Sequence, residues 1–262
     1  MPHTLQLIRA AKSGGWDPIF AACIEDDLVI CIHIGTGGGF RFPSDDSPLD
    51  VAITTMNITI ADVAADLLFS SALRKFPKLK FALSEGYMGW IPFFKERADF
   101  LYEMRRHWSN QDFGDRKPSD LIRRHFLVCF TEDRVGIRLR HDIGLEMITS
   151  ECDYPHADST WPHSPERLWD TIKDLPREEI DLITHENAMR FFGFDPFLHV
   201  AKAQCTVGAL RDAAKHVDIT PKASLGSFRP GIAITGKPLM ARDIKSMAQL
   251  MEQGAGARPR TN

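Results

Sequence analysis

Four polar residues in this sequence each follow an apolar segment that predicts a β-strand. They are His33, Glu85, Glu132 and Asp153. The carboxyl ends of parallel barrel strands all open on one face, so residues far apart in the chain can meet there. Imidazole nitrogens and carboxylate oxygens bind zinc and similar divalent ions, and a carboxylate that is not a ligand can act as a base or an acid. The spacing therefore predicts a site at the strand ends.

Each of these residues also has a structural interpretation when it is taken alone. His33 can be a core histidine whose hydrogen bonds are satisfied, and Glu85 can pair with an arginine or cap the following helix. Asp153 can cap the next turn through a local hydrogen bond, because Pro155 prevents the strand from continuing. The recurrence of such residues at successive strand ends favours a functional site.

The elements that must position these residues alternate between strand and helix. Apolar segments predict strands at residues 28–34, 79–83, 125–130 and 147–153. Helical spacing predicts helices at residues 17–25, 60–75, 91–107, 135–142, 164–173 and 176–192. This alternation predicts an α/β fold with a parallel sheet. Segment 28–34 is apolar almost throughout, which is typical of a strand buried on both faces.

The composition is that of an ordinary soluble globular protein. The 262 residues are 44% hydrophobic and 26% charged, with a formal net charge of -3. This charge provides no electrostatic basis for binding nucleic acid or an acidic membrane. The five cysteines are scattered, which indicates a reducing compartment rather than a disulfide framework or a CxxC zinc site. Without a signal peptide or a membrane-spanning run in view, the cytoplasm is the predicted location.

The character of the sequence changes after residue 194. Residues 1–194 contain the alternating strands and helices, whereas residues 195–262 are richer in Gly, Pro, Lys and Arg. We interpret 1–194 as a barrel-forming region and 195–262 as an irregular C-terminal extension with helices near 206–216 and 241–252. The tail at 254–262 is expected to be disordered.

Further features near the strand ends are weaker candidates. The glycine-rich loop at 35–39 has neither a dinucleotide fingerprint nor a P-loop lysine, so a flexible loop is the preferred interpretation. Cys152 precedes Asp153, but a buried strand thiol is usually inert packing. Trp90, Tyr154, His156 and Trp161 can line a substrate pocket for an aromatic or acyl group, or the aromatic residues can belong to the core.

Several short stretches, taken in order, carry a family resemblance. They are GWDP at 15–18, CIHIG at 31–35, FPKLKFALSEG at 76–86, GWIP at 89–92, CDYPH at 152–156, STWP at 159–162 and ENA at 186–188. As an ordered set spanning most of residues 14–195, they resemble the amidohydrolase-related (amidohydrolase 2) family. That family includes aminocarboxymuconate semialdehyde decarboxylase and related aromatic-acid decarboxylases and metal-dependent hydrolases.

The resemblance implies a metal-dependent (β/α)8 barrel of the TIM type that acts on a small molecule. His33 matches the family's metal-binding histidine after the fifth strand, and Asp153 matches its metal-binding aspartate after the eighth. The implied cofactor is a divalent metal, with zinc as the expected ion, which polarises the substrate or a bound water. Glu85 stands where the decarboxylases have a catalytic histidine. We expect Glu85 and Asp153 to be catalytic, with Glu85 as a base or a secondary ligand.

The resemblance covers only the later half of the barrel, about strands 4 or 5 to 8. The family's first strand carries a His-x-His or Glu-x-His pair that completes the metal site, and this sequence has no such pair. We therefore expect a hydrolase or decarboxylase of small carboxylated or acyl substrates. The alternative is a truncated, split or degenerate barrel that is not competent alone and serves as a binding or assembly module.

A half-barrel also has consequences for assembly. Its sheet would keep two open edges and an uncovered apolar interior, which invite pairing with another chain. The expected partners are a second copy of the chain or a partner chain that completes the barrel. The other expectation is that residues 1–8 and the C-terminal extension cover the gap.

Overall fold

The chain divides into two compact units. The computed structural model describes residues 14–36, 41–156, 158–220 and 238–244. The first unit comprises Met1–Gly38 and Asn57–Asp218, and the second comprises Gly39–Met56 and Ile219–Asn262. The strand-end residues singled out in the sequence all belong to the first unit. The extension predicted from residue 195 onward stays a prediction.

The described part of the first unit is built on a four-stranded parallel sheet. The strands are β1 (Val29–His33), β2 (Lys80–Ser84), β3 (Phe126–Phe130) and β4 (Ile148–Ser150). They lie in the order β1-β2-β3-β4, and every neighbouring pair is parallel. His33 is opposite Ser84, and Phe130 is opposite Ser150, so the carboxyl ends of the strands lie along one edge of the sheet. The predicted α/β fold with a parallel sheet is confirmed.

Helices connect the successive strands. They are α1 (Asp17–Glu25), α2 (Leu49–Met56, in the second unit), α3 (Ile60–Phe69), α4 (Ala72–Lys75), α5 (Ile91–Ser109), α6 (Pro118–His125), α7 (Arg134–Arg138), α8 (Arg140–Ile143), α9 (Ser164–Ile172), α10 (Arg177–Asp181), α11 (Asn187–Phe192) and α12 (Val207–Ala213). A π-helical turn, Leu182–Glu186, joins α10 to α11. The helix predicted at 60–75 is interrupted, because Ser70 adopts an extended conformation and donates its hydroxyl to the Leu67 carbonyl at 2.7 Å.

The core lies on both faces of the two central strands. All five residues of β3 are buried. Alternation along the strands directs Phe81 and Phe126 to one face, where their rings stack with centroids 5.7 Å apart. On the other face Ala82 and Leu127 form a smaller cluster, against which Phe191 of α11 packs. The central strands are therefore the rigid part of the scaffold.

Strand β1 is less buried than its apolar sequence predicts. Only Ile32 is buried in this strand, whereas Cys31 and His33 are exposed, and the preceding Leu28 is 53% exposed. The prediction of a strand buried on both faces is wrong. The physical reason is that β1 is an end strand of the described sheet, and the described residues cover mainly the face to which Ile32 belongs.

Strand β4 is shorter than the segment predicted at 147–153. Met147 closes a short 3-10 turn, and the backbone N–H of Glu151 donates to the Phe130 carbonyl at 2.9 Å just after the strand ends. Asp153 has φ 55°, in the left-handed region, so it cannot continue an extended strand. The turn after β4, rather than the strand itself, positions Asp153.

One described stretch, Leu49–Phe69, has the length and apolar composition of a membrane-spanning helix, with a mean hydropathy of 1.4. No membrane-spanning run was predicted from the sequence. In the first unit its later part, α3, buries Val63, Leu67 and Leu68. Because a core helix passes the same test of length and composition, the stretch is weak support for a membrane segment.

The second unit is described over fewer residues. Within it Pro48 and Met240 form an antiparallel bridge, the Leu49 N–H donates to the Leu239 carbonyl at 2.8 Å, and the Ala241 N–H donates to the Ser47 carbonyl at 2.8 Å. In the first unit, the helix predicted near 206–216 is present as α12. Most of the helix predicted at 241–252, the tail at 254–262 and most of the loop at 35–39 lie outside the described residues.

Candidate functional site

Glu85 lies in a tight turn directly after β2. Its backbone is left-handed, with φ 57°, a conformation that costs a non-glycine residue about 1–3 kcal/mol unless the surroundings hold it. Two hydrogen bonds hold this peptide: the Glu85 N–H donates to Oε1 of Glu151 at 2.6 Å, and Nδ2 of Asn57 donates to the Glu85 carbonyl at 2.7 Å. Gly86 must follow, because a Cβ there would lie 2.9 Å from the Ile60 side chain. The fold thus fixes the direction of the Glu85 side chain.

Asp153 lies in a second left-handed turn, after β4, and is paired with His156. Nδ1 of His156 lies 2.6 Å from Oδ1 of Asp153, and the His156 N–H donates to the Asp153 carbonyl at 2.9 Å. The Asp153 side chain is 8% exposed, whereas that of His156 is 65% exposed. The hydrogen bond to Asp153, followed by its negative charge, raises the pKa of His156.

His33 ends β1 and contacts Glu85. Its Nε2 lies 2.6 Å from Oε1 of Glu85, and its Nδ1 lies 2.7 Å from the Ile34 carbonyl. Because a carbonyl only accepts hydrogen bonds, Nδ1 carries a hydrogen, and a neutral imidazole then presents a lone pair at Nε2. A carboxylate cannot donate to that lone pair. The contact therefore requires one proton, carried either by Nε2 of His33 or by the Glu85 carboxyl.

Three carboxyl groups crowd this edge of the sheet, those of Glu85, Glu151 and Asp153. Burial, together with the charge of Asp153, raises the pKa of Glu85, while His33 opposes that shift. Burial also raises the pKa of Glu151 to about 7, with the charges of Glu85 and Asp153 acting in the same direction. Negative charge is therefore concentrated here at a cost that a cation would relieve.

The donor set fits a divalent cation. Glu85, Asp153 and His156 each offer one ligand atom, and these atoms lie within 4.8 Å of one another. Carboxylate oxygens and an imidazole nitrogen suit manganese as well as zinc. His33 contacts Glu85 and lies outside this group of three. The predicted role of His33 as a metal ligand stays a prediction.

Three of the residues named in the sequence analysis lie outside the cluster. Glu132 follows β3, but Nη2 of Arg167 donates to its Oε2 at 2.6 Å. The indole N–H of Trp90 donates to the carbonyl of Gly86 at 2.9 Å. Tyr154 is 62% exposed, and its ring lies 5.0 Å from that of Trp161. The structure thus brings together His33, Glu85, Asp153 and His156, whereas substrate contacts by Trp90 and Tyr154 stay predictions.

Glu151 is the site residue that sequence reasoning missed. Its carboxylate holds the Glu85 turn, and it is buried between the charges of Glu85 and Asp153. The available signal was its position, two residues before Asp153 at the end of an apolar segment. A carboxylate at the end of a buried strand is expensive to bury without a partner, so its presence there indicates a structural or chemical role.

A cavity of about 620 Å³ adjoins the cluster through Glu151. Its walls are mainly apolar and include Leu168, Trp169 and Ile180. At one side Sγ of Cys152 lies 3.1 Å from Oγ of Ser164, and both residues line the cavity. The volume and the mixture of apolar walls with a few polar groups are those of a small-molecule site.

The family is established by sequence comparison. The sequence profile of the family described as Amidohydrolase matches residues 3–194, which is most of the chain. The chain belongs to the amidohydrolase family, and the family resemblance of the ordered motifs is confirmed. No curated protein matches the sequence significantly.

Solved structures of the family are similar in fold. 5-Carboxyvanillate decarboxylase from Sphingomonas paucimobilis matches with 23% identity and a TM-score of 0.55, over 68% of this chain and 53% of that one. Dihydroxybenzoic acid decarboxylase from Polaromonas sp. JS666, with bound manganese and the inhibitor 2-nitroresorcinol, matches with 19% identity and a TM-score of 0.52, over 70% and 55%. 5-Carboxyvanillate decarboxylase from Novosphingobium aromaticivorans, complexed with manganese, matches with 18% identity and a TM-score of 0.53, over 68% and 51%. The chain spans about half the length of these structures.

Proposed function

We propose that this chain performs metal-dependent chemistry on a small carboxylated or acyl substrate, by hydrolysis or decarboxylation. The observation that carries the proposal is the convergence of Glu85, Asp153 and His156, with His33 beside them, at the carboxyl ends of the strands. The membership of the amidohydrolase family supports it. A divalent metal is the proposed cofactor, and the manganese named for two similar structures makes manganese a candidate beside zinc.

Each residue has a proposed role. His33 and Asp153 are metal ligands, and Asp153 also takes part in catalysis. Glu85 is a base or a further ligand. Its Oε1 shares a proton with Nε2 of His33, and Nε2 could bind a metal only after giving up that proton. When bound, the metal supplies polarisation of the substrate or of a water molecule. Glu151 holds the Glu85 turn in place.

The cavity beside Glu151 is the proposed place for the apolar body of the substrate. Its walls can exclude water from an acyl chain or an aromatic ring, while Tyr154, Trp90 and His156 are proposed to contact the substrate from the turns above the strands. Reduced cysteines, all five of which are free, support the cytoplasm as the proposed location.

Metal analysis tests this proposal most directly. Purified wild type and the variants His33→Ala, Asp153→Ala and Glu85→Gln would be titrated with Mn²⁺ and Zn²⁺ by calorimetry after removal of bound metal. We expect saturable binding by the wild type and a large loss in Asp153→Ala. Glu132→Gln is the matched control, because it removes a strand-end carboxylate outside the cluster. Equal, negligible binding by all proteins would reject the metal-enzyme proposal.

Product analysis separates the two reaction types. Aromatic carboxylic acids and simple acyl esters would be offered to the metal-loaded protein, with release of carbon dioxide and of alcohol measured separately. Because Glu85 replaces the histidine of the decarboxylases, release of alcohol would favour the hydrolase. If Glu85→Gln still releases carbon dioxide at the wild-type rate, Glu85 is not a catalytic residue.

A second candidate function is a binding or assembly module that is not competent alone. The observation that favours it is that β1 and β4 each pair with one neighbour only within the described sheet. We propose that a second copy or a partner chain completes the barrel in that case. Light scattering at low micromolar concentration, with a dye that binds exposed apolar surface, would test it. A dye-silent monomer with sharp thermal unfolding would contradict the half-barrel.

A further inference from the structure

Residues 195–213, the wall segment, supply one wall of the cavity beside Glu151. Val207, at the start of α12, lines the cavity together with Trp169 of α9. The family profile matches residues 3–194, so α12 lies beyond the matched region. The cavity is therefore completed by a segment that the family pattern does not include.

The wall segment contacts the rest of the first unit at two places beside the cavity. Near its start, the ring of Phe197 lies 5.8 Å from that of His185, which belongs to the π-helical turn. Near its end, Arg211 of α12 forms an ion pair with Glu166 of α9. Both partner elements also line the cavity, the turn through Thr184 and α9 through Glu166. These contacts therefore hold the wall segment at the edge of the cavity.

The cavity is larger than a single aromatic ring requires. Its volume of about 620 Å³ is about four times the roughly 150 Å³ of an apolar protein cavity that holds one benzene molecule. Trp169 is 53% exposed and Val207 is 46% exposed, so these two side chains lie at the rim, and the cavity extends inward from them to the buried Ile172. This size favours an apolar body of at least two fused rings, or an acyl chain of similar volume.

The charges in the cavity walls determine how such a substrate is oriented. No lysine or arginine is found among the described residues that line the cavity, and both of its carboxylates have partners. Glu151 accepts a hydrogen bond from the N–H of Glu85, and Glu166 is paired with Arg211. A carboxylate on the substrate therefore finds no positive partner in the cavity, and its burial there is unfavourable. The apolar body enters the cavity, and the polar end faces the candidate metal site.

We propose that the wall segment makes this site selective for carboxylated or acyl compounds whose apolar body is larger than a single ring, with Val207 as a specificity-determining residue. The inference rests on the proposed function, because it requires the reacting group of the substrate to lie at the cluster of Glu85, Asp153 and His156. The apolar body lies between α9 and α12, where Trp169 and Val207 shield it from water.

Calorimetric titration of the full, Mn²⁺-loaded chain with benzoate, 2-naphthoate and decanoate tests the selectivity. We expect 2-naphthoate or decanoate to bind about tenfold more tightly than benzoate, because the larger body removes more apolar surface from water. The tighter of the two larger acids identifies the shape of the body, a fused ring or an acyl chain.

Val207→Glu tests the contribution of the wall segment. It places a charge at the rim, which the apolar body would have to desolvate, so we expect the affinity for the preferred larger acid to fall about tenfold and that for benzoate to fall much less. Circular dichroism should show unchanged folding, because the side chain is half-exposed. Val217→Glu is the matched control, since Val217 is 49% exposed and lies outside the cavity. It is expected to leave all three affinities unchanged.

A charge exchange tests the contact between α12 and α9. Arg211→Glu should weaken binding of the preferred larger acid by about two- to fivefold, because the exposed ion pair contributes little on its own. The double variant with Glu166→Arg should restore the affinity, since the two charges then exchange places. Failure of the double variant to restore it overturns the role of this ion pair in holding the wall segment.

The outcomes separate this inference from the proposed function. If Mn²⁺ binds but neither larger acid is preferred over benzoate, or if Val207→Glu leaves the preference intact, the inference is overturned and the proposed function stands. If Mn²⁺ does not bind, the metal-dependent function fails, and uncharged 2-naphthol then tests the cavity through quenching of tryptophan fluorescence. Quenching that Val207→Glu weakens and Val217→Glu does not supports the apolar subsite, whereas absence of binding overturns it.

Discussion

The acidic residues at the ends of strands β2, β3 and β4 are used in two different ways. After β3, Asp133 accepts hydrogen bonds from the backbone N–H groups of Met88 and Gly89, each at 2.8 Å, and of Gly136 at 2.7 Å. Glu132 beside it is paired with Arg167. After β2 and β4, the carboxyl groups of the candidate site instead face one another, and burial and mutual charge raise the pKa of Glu85 and Glu151.

The difference shows that an acidic residue at a strand end is not by itself a sign of chemistry. At the β3 end the carboxylates stabilise the fold, because backbone N–H groups and an arginine already pair with them. At the β2 and β4 ends like charges are held together by two strained turns, and the fold provides no lysine or arginine partner for them among the described ion pairs. Such an arrangement is costly for stability and useful for binding a cation.

The largest expected effect is on stability, at the β3 end. Asp133→Ala removes the acceptor of three backbone hydrogen bonds and the cap of α7, so we expect the free energy of unfolding to fall by about 3 kcal/mol. Urea denaturation would measure the loss. Glu132→Gln, which breaks only a partly exposed ion pair, should cost less than about 1 kcal/mol. Equal losses in the two variants would contradict the assignment of Asp133 to the fold.

The next effect is on metal affinity, at the β4 end. Asp153→Asn keeps the shape of the side chain and removes the ligand charge. We expect the affinity for Mn²⁺ to fall about a hundredfold, which corresponds to about 2.7 kcal/mol. The unfolding free energy of the metal-free protein should not fall, because one of three crowded charges has been removed. Calorimetric titration and urea denaturation of the same preparation would measure both quantities. A variant that is destabilised but binds Mn²⁺ with normal affinity would show that Asp153 stabilises the fold and does not bind the metal.

The smallest effect is a pH dependence of stability, and it arises in the core rather than at the candidate site. His125, at the end of α6, is fully buried; its Nδ1 donates to the Leu79 carbonyl at 2.7 Å, and burial lowers its pKa from the ordinary value of 6.5. The unfolded chain therefore binds more protons than the native one as the pH falls below 6.5. The contribution of buried, neutral His125 to the free energy of unfolding is complete above that pH and is lost as the pH falls toward the lowered pKa.

His125→Asn tests this prediction, because asparagine can still donate to the Leu79 carbonyl but does not titrate. Unfolding free energies measured between pH 7.5 and pH 5, roughly the range in which histidine titrates, should fall more steeply for the wild type than for His125→Asn. The same substitution at exposed His107 is the control. If His125→Asn leaves the pH dependence unchanged, the acid-sensitive groups lie elsewhere, and the carboxyl cluster becomes the first place to examine.

Sequence reasoning reached the family, the parallel α/β fold and several of the residues that meet in the candidate site, because those depend on local properties. An apolar run followed by a polar residue predicts a strand and its end from a few neighbouring positions. His33, Glu85 and Asp153 were named in this way, and the structure brings them together. Glu132 was named by the same argument, but its carboxylate pairs with Arg167 of α9. No local sequence pattern predicts that contact.

The sequence by itself determined which residues stand at strand ends and to which family the chain belongs. Only the tertiary structure decided how they meet. Several features depend on neighbours that are distant in the sequence: the left-handed turns at Glu85 and Asp153, the buried position of Glu151 and the exposed side of β1. Asn57 and Glu151 hold the Glu85 turn. The order of the strands leaves β1 at an end of the described sheet. Periodicity is set by adjacent residues, whereas burial and charge crowding are set by which elements pack together, and that is decided only when the sheet has formed.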